Sequence, residues 1–197
     1  MRTTIGIDYS MTCPAMCIHA GDTWSIDQCM FYYATSKAKQ QHTLTKPINI
    51  NSDLTKYHND IQESRYVELA QLMMTFIDKH PCPGDLRIFI EGYSFGSKGA
   101  IFNIAENTSI LKHYLWNASL SYDTLAPTQI KKYATDKGNA NKEAMQEAFV
   151  TETGIELKSL LGQTEKQWNP SSDLIDAYYI AKMGHHIDNE HQNHNNA

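Results

Sequence analysis

The sequence predicts an α/β fold: a mixed five-stranded sheet, three antiparallel strands followed by two that alternate with helices, covered by helices on both faces. Three observations lead there. Short β-favouring runs separated by turn residues open the chain. Beyond them the apolar spacing lengthens to a helical period. Residues 86–91 (Leu-Arg-Ile-Phe-Ile-Glu) then form the kind of run found in a fully buried strand. At 197 residues the chain is long enough for one such domain with a full core.

Residues 3–9 read as a strand that ends on the carboxylate Asp8, and residues 15–20 as a second strand. Gly21-Asp22 is a hairpin signal, and Thr23 to Tyr33 follows as a third strand. Residues 34–60 are polar and are expected to form a long loop or insertion. Between Ile61 and Lys79 the apolar residues Tyr66, Leu69, Leu72, Met73, Phe76 and Ile77 recur at helical spacing, and Pro81, Pro83 and Gly84 end the helix. The buried strand 86–91 closes on a second carboxylate, Glu91. A helix over about 100–119, a short strand at 122–126, and helices at 128–135 and 141–153 come next. Residues 154–170 look irregular, and a last helix runs from Ser172 to His186 with Ser171 or Ser172 as its cap. The predicted domain spans 1–187, and the Asn- and His-rich tail 188–197 is expected to be disordered.

Charge and composition exclude several classes. No apolar run approaches the roughly 20 residues that span a bilayer, and the N-terminus has no signal-peptide stretch. The expected location is cytoplasmic. Cys13, Cys17, Cys29 and Cys82 lack paired C-x-x-C spacing, so free thiols are expected rather than a zinc site. The N-x-S/T triplets at Asn107 and Asn117 lie in a helical pattern and carry no message in an unsecreted chain. His185, His186, His191 and His194 are assigned no role. The net charge of −5 argues against a broad nucleic-acid-binding surface. An acidic metal site would account for part of that balance, and Lys131, Lys132, Lys137 and Lys142 cluster despite it.

The chemistry rests on carboxylates. Asp8 and Glu91 close strands, where ligands of α/β sheets bind. Asp173 and Asp176 stand three residues apart on one face of the last helix. Four such groups in one place repel one another unless cations lie between them, and hard ions such as Mg²⁺ or Mn²⁺ prefer carboxylate oxygen. A pair of these ions roughly 4 Å apart is a common device for hydrolysing a phosphodiester. Each acid also has a plain structural reading, as a turn-former or as an acid favoured in a first helical turn.

Four segments, taken in order, resemble the RuvC-like Holliday junction resolvases. They are Ile5-Gly6-Ile7-Asp8-Tyr9-Ser10, Ile90-Glu91-Gly92, Ala126-Pro127 through Lys131-Lys132 with Gly138, Ala140 and Lys142, and Ser172-Asp173 with Asp176-Ala177. The resemblance covers nearly the whole chain outside 34–60 and the tail, and the compact size is similar to that family's virus-encoded branch, which would place the protein in host-cell cytoplasm. It implies a ribonuclease-H-like fold and a homodimer that cuts branched DNA, preferably four-way junctions, with two Mg²⁺ or Mn²⁺ ions per site. Asp8 would bridge both ions, Glu91 would hold the second, and Asp173 and Asp176 would complete the first. Lys131, Lys132 and Lys142 would approach the phosphate backbone, although a solvated helical face accounts for Lys131 and Lys132 nearly as well. Tyr93 or Phe95 would stack on a base at the crossover, with packing under the following helix as the alternative, Lys98 would reach a phosphate, and Ser10 would hold a scissile phosphate oxygen. The helix 100–119 is a candidate dimer interface, although its apolar stripe equally suits the sheet-covering face of a monomer.

Three other readings compete. A nuclease of the same fold acting on forks, flaps or loops differs only in the shape of its substrate. The opening Gly-Ile-Asp-Tyr-Ser also resembles the phosphate loop of sugar-kinase and chaperone ATPases, but a second phosphate motif and a second lobe are missing. A non-catalytic DNA-binding relative would have little reason to keep four acids.

Overall fold

The computed structural model describes residues 1–55, 61–80, 84–93 and 101–195. Its centre is β1 (Arg2–Asp8), buried along its whole length. β1 pairs antiparallel with β2 (Ala15–Ala20), which pairs antiparallel with β3 (Cys29–Thr35). On its other side β1 lies parallel to β5 (Asp85–Glu91), and β5 lies parallel to β6 (Tyr122–Leu125). The expected meander and alternating strands are therefore present.

Among the described residues the sheet has six strands rather than five, in the order β4-β3-β2-β1-β5-β6. The added strand, β4 (Asn49–Leu54), comes from the segment expected to be a loop and runs parallel to β3 at the sheet edge. Its sequence, NINSDL, buries Ile50 alone, so no apolar alternation announces it. β3 begins later than predicted, because a 3₁₀ turn at Ile26–Gln28 occupies the approach. Ser25 caps that turn by accepting the Asp27 N–H at 3.3 Å.

Pleating sorts the strand residues between two cores. Ile5 and Ile7 of β1, Tyr32 of β3 and Ile90 of β5 face α1 (Gln62–Lys79) and α2 (Ile101–Asn117). There they pack with Leu69, Met73, Leu111 and Leu115, and Tyr32 stacks on Phe76 at 4.1 Å between ring centres. Phe31, Tyr33 and Phe89 face the opposite way. They meet α4 (Lys142–Thr153) and α6 (Ser171–Asn195) through Phe149, Leu174 and Tyr178, with Ile130 of α3 (Pro127–Thr135) alongside. Pro127 suits the first turn of α3, where its missing N–H costs nothing. Asn141 caps α4, its Oδ1 accepting the Ala144 N–H at 3.0 Å. The stretch 154–170, expected to be irregular, contains one short helix, α5 (Leu157–Leu160).

The last helix corrects the expected tail. α6 begins at Ser171 and continues past His186 to Asn195. Asp188 is buried and accepts two hydrogen bonds from Arg87 of β5, both at 3.1 Å, while Arg2 donates to Asn189 Oδ1 at 2.8 Å. His185, read as part of a polar end, is also buried, against Trp24 and the ring of His19. Composition pointed to disorder, and tertiary contacts override it. Among the described residues no helix is long and apolar enough to cross a membrane.

Candidate active site

β1 and α6 lie antiparallel, and their contacts step along both elements together. Thr4 Oγ1 meets His185 Nδ1 at 3.3 Å. Two residues on, Gly6 lies directly against the α6 backbone at Ala177 and Ala181, where a Cβ would collide with main-chain atoms. Two further residues bring Asp8 to the first turns of α6, within the electrostatic reach of Asp173 and Asp176. Two strand residues advance about 6.6 Å and four helix residues about 6 Å, so the steps keep pace. A second small residue, Gly184, sits against the Phe89 ring of β5 and allows close approach on that strand. The parallel register, with Gly6 opposite Phe89 and Ile7 opposite Ile90, sets Glu91 beside Asp8 at the end of the sheet.

The four acids drawn from β1, β5 and α6 therefore share one site. Burial and the charges of Glu91, Asp173 and Asp176 push the Asp8 carboxyl well above its ordinary value, with Lys142 opposing. Glu91 is raised to about 7, by burial and then by Asp176, against the pull of Lys131. Asp173 is also raised to about 7, chiefly by burial, while Lys142 works against the shift. Asp176 is raised to about 6 by burial, opposed by Lys131 and Lys142. Without counter-charge, the cluster holds protons near neutrality.

The lysines divide. Lys131 of α3 and Lys142 at the start of α4 both act on the acids, and Lys142 Nζ donates to Ser172 Oγ at 3.3 Å. Together with Asn141, Trp168 and Asp176 they line a cavity of about 80 Å³ beside the cluster. Lys132, one residue round the helix, is exposed and does not figure among the charges acting on the acids. Ser10 Oγ accepts the Cys13 N–H at 3.0 Å, shaping the loop after β1. Tyr93 is half-buried, with Lys112 Nζ 5.1 Å from its ring centre. Phe95 and Lys98 lie outside the described residues, as does Cys82.

Two participants escaped the sequence reading. Cys13 is buried and hydrogen-bonded to Asp173, which burial and that carboxylate together keep in the thiol form. Gly6 is the other. A glycine between two isoleucines inside a strand, facing a helix with Ala177, Ala181 and Gly184 on one side, is a signal of close backbone approach.

Whether these residues suit divalent cations can be judged from the donors. All four are carboxylates, the ligand class of Mg²⁺ and Mn²⁺. Among the described residues Asp173 Oδ2 is buried with no hydrogen-bond partner, an acceptor left for a ligand to satisfy. As the side chains stand, no three His, Cys, Asp or Glu among the described residues close round a single point. The acids are neighbours in one another's field rather than a finished ligand shell. The donor chemistry fits, and Asp8, Glu91, Asp173 and Asp176 are the residues that would hold the ions.

Fold and site together define the class: a ribonuclease-H-like α/β sheet with acids gathered at the carboxyl end of its central strand. No protein-family model and no curated protein matches the sequence. Solved structures do match. RuvC of Thermus thermophilus is similar with a TM-score of 0.55 and 14% identity, covering 91% of this chain and 90% of that one. The same protein in complex with Holliday junction substrate gives 0.57 and 12%, covering 92% and 91%. The yeast mitochondrial Holliday junction resolvase Ydc2 gives 0.55 and 16%, covering 92% and 76%. The chain thus has the fold of these resolvases over nearly its whole length.

Proposed function

We propose that this protein is a metal-dependent endonuclease that resolves four-way DNA junctions. The observation that carries the reading is the convergence of Asp8, Glu91, Asp173 and Asp176, from three separate elements, on a fold shared with two junction resolvases. Lys131 and Lys142 border the acids and would attract the phosphate backbone to them. A cluster that only stabilised the fold would gain nothing from burying four mutually repelling carboxylates.

Asp8, Glu91, Asp173 and Asp176 would hold a pair of divalent cations, which would supply activation of a water and charge stabilisation for the leaving oxygen. The chain's own part is positioning. Gly6 lets α6 seat on β1, so Asp173 and Asp176 are held at a fixed depth opposite Asp8. The Ser172 hydroxyl fixes the Lys142 ammonium beside the cluster, where its charge offsets the phosphate's repulsion from the acids.

Resolution of a junction takes two symmetric cuts, and we assign the dimer surface to α2. Phe102 and Trp116 are 76% and 74% exposed. With Ser109 midway, they recur at seven-residue steps along one stripe. Two copies laid antiparallel about a two-fold axis at Ser109 would set Phe102 of each against Trp116 of the other.

The deciding assay compares a synthetic four-way junction, a fork, a flap and linear duplex in Mg²⁺, Mn²⁺ and EDTA. The junction is expected to be cut in either metal and left intact in EDTA. Asp8→Asn should abolish cutting and retain junction binding. Cutting at the unmodified rate by Asp8→Asn, Glu91→Gln and Asp176→Asn alike refutes the site, and preference for forks or flaps transfers the reading to other branched DNA. Phe102→Ala with Trp116→Ala should yield a monomer by analytical ultracentrifugation.

A further inference from the structure

The polar segment after β3 has no part in the carboxylate site, yet it builds a wall beside it. A cleft of about 480 Å³ opens between this segment and the loop that precedes α6, bordered by Thr12, Cys13, Lys37, Gln40, Lys166 and Trp168. The two walls are tied together. Gln40 Nε2 donates to the Asn169 carbonyl at 3.2 Å, and Gln163 Nε2 donates to the same carbonyl at 2.7 Å. Tyr33 Oη donates to the Gln40 carbonyl at 2.5 Å, anchoring the segment to the sheet. The cleft is thus held open by hydrogen bonds on both sides.

Its position relative to the acids is fixed by Cys13. This residue borders the cleft and hydrogen-bonds Asp173, so the inner end of the cleft meets the carboxylate cluster. Trp168 borders both this cleft and the smaller cavity that holds Lys131, Lys142 and Asp176. The cleft with Lys37 and Lys166 thus adjoins, through Trp168, the cavity lined by Lys131, Lys142 and Asp176, and through Cys13 it adjoins Asp173. Lys37 and Lys166 are exposed, and no ion pair to either is found among the described residues. In a chain of net charge −5, these two cations share the lining of the cleft with the polar side chains of Thr12, Thr35 and Ser36, and no acid is among the described residues that line it.

We propose that this cleft is a second phosphate-binding subsite, which holds the phosphodiester backbone of the DNA strand that continues away from the cleavage point. Lys37 and Lys166 contact backbone phosphates there, and residues 35–40 act as the outer guide of the strand. The proposal rests on the nuclease reading above and gives the polar insertion its task within it. Lysine ammonium groups that contact phosphates carry no sequence information, so the cleft contributes affinity and placement rather than base specificity.

The test uses the full-length protein, a fluorescent four-way junction, and Ca²⁺ in place of Mg²⁺ to suppress cutting. Kd is measured across a salt series for the unmodified protein, for Lys37→Ala with Lys166→Ala, and for Lys79→Ala, whose side chain lies at the far end of α1 where it leads into β5. Two lost phosphate contacts should weaken binding about 10- to 100-fold and lower the log Kd–log salt slope by roughly 1.4 to 1.8. Lys79→Ala should change neither. Both substituted lysines are exposed, so loss of folding is not expected, and the thermal melt checks it. If the unmodified protein binds junctions in Ca²⁺ and cuts them in Mg²⁺ while the double variant keeps the same Kd and slope, the cleft proposal is overturned and the function stands. If the unmodified protein neither binds nor cuts, the function itself is refuted.

Discussion

Replacing Asp173 by Asn should make the metal-free protein more stable near neutral pH, at the expense of its chemistry. In the folded chain Asp173 is buried, and its pKa rises from 3.8 to about 7. The folded state therefore holds a proton that the unfolded chain releases, and stability falls as pH rises between those two values. Each tenfold change in proton affinity is about 1.4 kcal/mol, so above pH 7 the full penalty is about 4 kcal/mol. Neighbouring acids share the repulsion, so the Asn variant should recover about 2–4 kcal/mol. At roughly 2–4 °C per kcal/mol for a chain of this size, its Tm in EDTA at about pH 8 should rise by about 5–15 °C. At about pH 4 the advantage should shrink to under about 1 kcal/mol, because Asp173 is then protonated in the folded chain and roughly half protonated in the unfolded one. Saturating Mg²⁺ should reverse the order at the higher pH, since only the intact acid set gains a bound cation. Thermal melts at the two pH values, with EDTA and with Mg²⁺, measure all of this. An Asn variant that melts at or below the unmodified protein in EDTA at the higher pH refutes the account of a repulsive, cation-seeking cluster.

Three other outcomes follow from the geometry. Gly6→Ala puts a methyl group into the α6 backbone at Ala177 and Ala181, so it should cost about 3 kcal/mol or more and reduce metal-induced stabilisation, read by denaturant titration with and without Mg²⁺. A chain ending at residue 187 loses the Asp188–Arg87 and Asn189–Arg2 contacts; a drop of about 1–3 kcal/mol is expected where a disordered tail would give none. Lys142→Met removes a charge that holds down the pKa of Asp8, Asp173 and Asp176, so the pH at which Mg²⁺ begins to raise the Tm should move up by roughly 0.5–1; an unchanged profile places Lys142 outside the site.

Much of this was legible in the letters. Asp8 and Glu91 could be placed because strand runs end on them, and Asp173 with Asp176 because three residues make nearly one helical turn. Their convergence was not legible, since it depends on the packing of α6 across β1, and that in turn on Gly6. β4 escaped detection because an edge strand of Asn, Ser and Asp lacks the alternation that signals burial. The last turns of α6 were misjudged for a related reason. Their polar residues make specific long-range bonds, as Asp188 does to Arg87, and no local rule anticipates a partner 101 residues away. Cys13 shows the same limit, for nothing in its neighbourhood of sequence points to Asp173.

The glycine seat on β1 works like a keyway. A helix whose main chain is sunk into the sheet at Ala177 and Ala181 is barred from sliding or rolling, and a slip of one turn would carry Asp173 about 5.4 Å from its place opposite Asp8. Any adjustment that drew the acids round a bound cation would then have to come from carboxyl rotation and from the loops after β1 and before α6, while the two load-carrying elements stay still.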